Sequence, residues 1–225
     1  PIINFLLVFF YLPETKPNSD SNKSKPFIKN PLKNLFTVFK EEKIKKLSLA
    51  FFIYFIAFTG LTNILIFFLQ ESLNWTTKAS SGTLVVVGII AIIVQGGLIG
   101  PLVKQFGEMR LTLIGSGFIL VACALLITAP KENATINIYS AVSFLAVGAG
   151  LITPTLRALI SKKLDIDKQG SILSNLQGLQ SLGGVLGIAM AGRVYDGFGP
   201  KSPFIAGSVI LLFMIYLIAE GKSNN

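Results

Sequence analysis

The sequence contains no histidine and a single cysteine, and only 14% of its 225 residues are charged. Without histidine, the commonest metal ligand and the commonest general base are both missing. Lone Cys123 lies in an apolar run and can form no disulfide within the chain. The charged fraction falls well short of the roughly 25% of a soluble domain. Acids are scarcer still, eleven against twenty lysines and arginines, and none sits well inside an apolar block. A membrane enzyme is therefore disfavoured, and no catalytic residue, cofactor or metal site is expected.

What is present is apolar and blocked. Hydrophobic residues make up 52% of the chain, with 18 Phe and 21 Gly, and glycine is commoner in membrane helices than in soluble ones. Six long apolar segments, 47–70, 81–103, 111–129, 136–160, 170–194 and 203–219, alternate with short polar clusters. A bilayer takes about 20 helical residues to cross. The first segment, at 1.5 Å per residue, is about 36 Å long; the last is near the lower limit. A buried soluble helix can be as apolar, but six in succession point to an all-α membrane protein with a six-helix bundle over 47–219. Residues 1–12 are apolar and stop at Pro13, as the tail of a helix whose beginning lies upstream would. Residues 13–46 form a polar connector, with a Ser-, Asn-, Lys- and Pro-rich stretch at 17–26 expected to be disordered. Within it, 31–39 reads as an amphipathic surface helix with Leu32, Leu35, Phe36 and Phe39 on one face. Residues 220–225 are a short tail.

The net charge of +9 is organised by topology. The connector holds nine lysines, and with Lys104, Arg110, Arg157, Lys162, Lys163, Lys168 and Lys222 one side carries sixteen basic residues. The other side carries four, Lys78, Lys131, Arg193 and Lys201. Basic residues in short loops mark the cytoplasmic side, which assigns the connector and the C-terminus to the cytoplasm. The charge is not a nucleic-acid footprint.

Uncharged polar residues inside spans are costly and turn toward a cavity or a neighbouring helix. Asn63, Gln70, Gln95, Asn175, Gln177 and Gln180 are such residues, and hydrogen bonding between helices, about 0.6 kcal/mol each, competes with solute contact for every one of them. Asn63, nearest mid-span beside Gly60, leads, with Thr59 and Thr62 on the same segment and Thr153 on the fourth. Gln177 and Gln180, three apart, share a helix face. Arg157 is expected to snorkel to the interface, with a role in anion binding as the alternative. Asp165 and Asp167 fall in a solvated loop. In 178–192, Gly183 and Gly187 have the GxxxG spacing of close helix approach; no strand precedes and no lysine follows as a phosphate loop requires.

The loop 100–110, GPLVKQFGEMR, is a short charged hinge: Gly100 and Pro101 break the helix, Gly107 permits a tight turn, and Lys104 and Arg110 flank Glu108. This stretch resembles the repeated cytoplasmic loop of the major facilitator superfamily in its second copy. Gly100, Leu102, Gly107 and Arg110 match; Lys104 stands where the signature has an acid, and Glu108 where it has a base. The spacing GP-x5-GE-x-R is similar to the drug-efflux branch, notably the tetracycline-resistance antiporters. The ordered pieces LPET at 12–15 and GAGLITPTLRALISKKLDIDKQGSI at 148–172 resemble the same branch.

The resemblance implies that the six spans are helices seven to twelve of a twelve-helix fold, arranged as two three-helix repeats, with the first and fourth spans lining a cavity. It implies a secondary transporter, a proton-coupled antiporter of a small drug-like or amphipathic solute working by alternating access, with the lipid bilayer and an N-terminal six-helix half as partners. No carboxylate here lies at membrane depth, so the coupling group is expected in that other half. A nutrient or metabolite permease of the same fold, and a non-transporting scaffold or receptor, stay open beside it.

Overall fold

Apolar blocks of this length become helices because a helix satisfies every backbone donor and acceptor within itself, which nothing else in lipid can do. The structure, a computed structural model, describes residues 35–130 and 134–223, within one of the two units into which the chain divides, Leu32–Asn225. The segment 1–12, expected to be the tail of a helix, and the polar stretch 17–26 lie outside the described residues. Among those described there is no strand. Helix α1 spans Lys45–Phe67 and runs into a π-turn, Phe68–Ser72. Helix α2, Thr77–Ile93, passes through a second π-turn, Val94–Leu98, into α3, Ile99–Phe106. Then follow α4 (Glu108–Thr128), α5 (Thr135–Lys162), α6 (Ile166–Phe198) and α7 (Ser202–Ser223).

Five of the six expected spans are long and apolar enough to cross a membrane: Lys45–Ser72, Thr77–Phe106, Glu108–Thr128, Thr135–Lys162 and Ser202–Glu220. The expected span 170–194 lies within α6, which at 33 residues is about 50 Å long. Ser171, Ser174, Asn175, Gln177, Gln180 and Ser181 dilute it, and it does not reach the apolarity of the other five. Gly100 and Pro101 do not break their helix. Pro101 is the third residue of α3, and the π-turn just before it has already shifted the hydrogen-bond ladder that a proline would interrupt. The break comes at Gly107.

The packing is built around two central helices. α1 lies against α6 and α7, α5 against α2 and α4, and α4 meets α7. Exchanging the triplet α1, α2–α3, α4 with the triplet α5, α6, α7 carries the first set of contacts onto the second. Lipid gives helices little hydrophobic reason to associate, so close packing holds them together. Both long interfaces therefore use glycine. A Cβ on Gly60 of α1 would sit 2.8 Å from the Gly187 carbonyl of α6, and one on Gly148 of α5 2.6 Å from the Gly115 carbonyl of α4. The expected GxxxG pair Gly183 and Gly187 is at the first of these, Gly183 facing Phe52. Beside the second, Thr112 and Thr155 share a buried hydroxyl hydrogen bond of 2.8 Å. Tyr54, Phe51, Phe68 and Phe204 fill the core, Phe68 and Phe204 edge to face at 5.2 Å.

The connector corrects one expectation. Residues 36–39 form a 3-10 helix, not an α-helix, and its partly exposed Phe36 points away while Val38 is fully buried. Leu35 lies against Gly178 of α6, and Asn175 donates from Nδ2 to Thr37 Oγ1 at 3.1 Å. With three residues per turn, Leu35 and Val38 share a face, so the segment docks on the bundle by a stripe different from the one a 3.6-residue period selects.

Candidate functional site

Arg157, Gln177 and Gln180 form a polar cluster joining α5 and α6. Arg157 lies five residues before the end of α5, about 7 to 8 Å in from it. It does not snorkel outward. Its Nη2 donates to Gln177 Oε1 at 2.7 Å and to Gln180 Oε1 at 2.5 Å, so the two glutamines three apart on α6 do act together, as one acceptor pair. The guanidinium carbon stands 5.8 Å from the centre of the Phe51 ring on α1, in the range of a cation–π contact. Its Nε is buried and has no acceptor. One turn deeper, the Tyr54 hydroxyl and Thr153 Oγ1 are 3.4 Å apart, and Phe58 stacks on Tyr54 at 5.5 Å. Pro154 adjoins Thr153 and cannot donate to the Gly150 carbonyl. α5 and α6 otherwise touch little, so these side chains are what links α1, α5 and α6 here.

Asn63, Thr59 and Thr62 are elsewhere. Asn63 is exposed, and its Nδ2 donates to the Thr59 carbonyl at 2.9 Å; Thr62 bonds back to Phe58 and Thr59 on its own helix. Asn63 is eighteen residues into α1 from Lys45, about 27 Å, and so lies well beyond the Arg157 cluster along the bundle. The structure thus places Thr153, Gln177 and Gln180 together and leaves the three residues of α1 on a separate open stripe. Tyr54 is the member of the cluster that the sequence did not put forward; Arg157 was read there first as an interfacial charge, its signal being a charge inside the apolar run of a 28-residue helix.

The hinge lies at the end of the bundle rich in lysine. Gly100, Pro101 and Arg110 are exposed. Gly107, with φ 76° and ψ 159°, closes α3 and opens α4. Glu108, in the first turn of α4 where a negative charge suits the helix dipole, pairs with Lys162 at the end of α5. Lys46 and Glu220 tie the start of α1 to α7 at 2.9 Å, and Lys168 reaches Glu41 at 3.3 Å. Lys162 is 66% exposed and Glu108 14%, so the pair meets solvent on its lysine side and is worth about 0.2 to 1 kcal/mol. In a double-mutant cycle of Glu108→Gln and Lys162→Met, thermal melts in detergent are expected to give a coupling within that range that fades at high salt; a coupling above about 2 kcal/mol would contradict a solvent-screened pair. Among the described residues no three His, Cys, Asp or Glu side chains converge to hold a metal ion.

Known proteins align with this chain along most of its length. The family model of the Major Facilitator Superfamily matches residues 1–188. The class C tetracycline resistance protein of Escherichia coli is 26% identical over 130 residues, 58% of this chain and 32% of its own length. The class H tetracycline resistance protein of Pasteurella multocida is 27% identical over 131 residues, again 58% of this chain and 32% of its own. Hippocampus abundant transcript-like protein 1 of Homo sapiens is 22% identical over 212 residues, 84% of this chain and 41% of its own. The chain thus spans about a third of the length of the tetracycline resistance proteins it matches. With its family match running from the first residue into α6 and its helices long and apolar enough for lipid, the chain is an integral, multi-pass membrane protein and belongs to the Major Facilitator Superfamily.

Proposed function

We propose that this chain forms one wall of the solute path in a secondary transporter that exports a small drug-like or amphipathic solute in exchange for protons. The observation that carries the reading is the polar cluster between α1, α5 and α6, in which Arg157, Gln177, Gln180, Tyr54 and Thr153 meet, with α1 and α5 otherwise apolar enough for lipid. Polar groups at membrane depth are retained where solute or ions pass. The family supports transport, and the tetracycline-resistance relatives favour efflux over uptake. In this reading the bundle 47–219, α6 included, rocks against an N-terminal six-helix half by alternating access, the Gly107 hinge bends at the cytoplasmic face, and the connector 13–46 and tail 220–225 lie in the cytoplasm. Asn63, Thr59 and Thr62 line the far part of the same path. Among the described residues no Asp or Glu lies deep in a helix, so the proton is carried by a group of the other half. It is a transporter and not an enzyme.

Cells expressing the full-length protein should accumulate less of a fluorescent drug than cells without it, and an uncoupler should abolish the difference. Asn63→Ala and Gln177→Ala each remove a hydrogen bond of about 0.5–1.5 kcal/mol, and export should fall by roughly two- to tenfold. Accumulation that ignores the uncoupler, or variants that export like the parent, would count against this function.

A further inference from the structure

α2 and α4 hardly touch, although both lie against α5. Between them, with α5 as the floor, runs an apolar groove of about 340 Å³. Leu98, Leu102 and Phe106, spaced four apart, line one wall; Ile114 and Phe118 line the other, and Leu151 lies beneath. Leu98, Phe106 and Ile114 are exposed in it. Phe118, stacked on Phe144 at 5.7 Å, marks its inner end. The outer end is at the hinge. Arg110 stands exposed in the first turn of α4, four residues before Ile114 and so on the same side of that helix. Among the described residues no carboxylate pairs with Arg110, and Glu108, two residues away, is engaged by Lys162. From Arg110 to Phe118 is eight residues, about 12 Å, close to one leaflet of a hydrocarbon core about 30 Å thick.

We propose that this groove holds one acyl tail of an anionic phospholipid, with the lipid phosphate on Arg110. Helices that pack in lipid approach through small residues, whereas these walls are Leu, Ile and Phe side chains, which suit a thin flexible tail better than a second helix. A guanidinium fork matches phosphate geometry, and basic pockets between helices at the cytoplasmic face take anionic headgroups. A zwitterionic lipid brings the same phosphate beside a cation of its own, so the net charge decides for the anionic one. Lys104 is not part of the site. It is two residues from both Leu102 and Phe106, about 200° around α3 from them, and faces away from the groove. The inference goes beyond solute export and does not depend on it.

Native mass spectrometry of the purified full-length protein tests it, with phosphatidylglycerol and phosphatidylcholine of identical tails added in equal amounts. Wild type should hold one equivalent of phosphatidylglycerol about fivefold over phosphatidylcholine, the factor given by one cation near the surface. Arg110→Gln should bring that equivalent to parity, and Arg110→Lys should keep most of the preference. Lys104→Gln, which removes an equal charge from the opposite face of α3, should leave it unchanged. Ile114→Trp, which adds bulk to the groove and spares the charge, should lower the retained phosphatidylglycerol at least threefold. A tenfold excess of inorganic phosphate should displace none of it. If Arg110→Gln does not survive extraction, 0.5 M salt on wild type should abolish the preference in its place. Parity of the two lipids in wild type overturns the inference, leaving a groove that takes any tail. A preference that survives Arg110→Gln or the salt, or falls equally in Lys104→Gln, overturns it in favour of a binding place elsewhere or of diffuse surface charge. Retention unchanged in Ile114→Trp, or lost to phosphate, overturns it as well, because the tail is then not in the groove.

Discussion

Gly187→Val should leave the protein unable to accumulate in the membrane or, where it survives extraction, lower its melting temperature by about 10 °C. A side chain at this position would drive its Cβ into the Ile56 carbonyl oxygen, with the Ile56 carbonyl carbon at 3.0 Å and the Gly60 nitrogen at 3.1 Å behind it. All three are backbone atoms of α1, so no rotamer change makes room; the helices must part. Overpacking costs about 1 to 3 kcal/mol or more, and a degree of melting in a chain this size corresponds to a few tenths of a kcal/mol. The cost should be at the upper end here, because close approach is what associates helices in lipid and α1 to α6 is one of the two long interfaces. Gly184, three residues away on the same helix, is the control. A Cβ there meets only Thr59 side-chain atoms, the nearest at 3.5 Å, and Gly184→Ala should melt within about 2 °C of the parent. Equal melting of Gly187→Val and wild type in detergent would show that the α1–α6 contact is not tight in solution.

The helices were legible because their signal is length and apolarity, both local properties. The sequence boundaries 111–129 and 136–160 match α4 and α5 to within three residues at each end. What was missed depends on contacts between distant residues. Pro101 reads as a breaker, yet the π-turn Val94–Leu98 absorbs it. Arg157 reads as an interfacial charge, since nothing nearby in sequence reveals that Gln177 and Gln180, twenty and twenty-three residues on, lie within hydrogen-bond reach. The glutamines themselves were visible as a pair, because three residues on one helix is a local relation. Asn63 stood out as a polar residue near mid-span, but periodicity does not say which cluster a residue will join, and the structure sets it apart from the arginine.

Gly107→Ala and Gly199→Ala should each destabilise the protein by about 1 to 3 kcal/mol, the cost of forcing a side chain into backbone conformations that only glycine adopts freely. Gly107 has φ 76° and ψ 159° between α3 and α4; Gly199 has φ 91° and ψ 174° between α6 and α7. Neither has a heavy atom within 4 Å of a built Cβ, so the penalty is one of backbone strain and not of crowding. The two turns occupy corresponding places in the two triplets and point to opposite ends of the bundle. Each follows a phenylalanine, Phe106 and Phe198, and each has a glycine seven residues upstream, Gly100 and Gly192. The repeat therefore preserves the turn geometry while the charges just after it change, Glu108 and Arg110 at one end against Lys201 at the other. Because the turns share no partner, the double variant should lose the sum of the two single losses to within about half a kcal/mol. Gly117→Ala provides the contrast, as Gly117 lies inside α4 with open space around it, and alanine there should hold or raise stability through its helix propensity. If Gly107→Ala melts no lower than Gly117→Ala, the α3–α4 junction can relax into an ordinary backbone conformation at no cost, and the positive φ of Gly107 is then not what holds the turn.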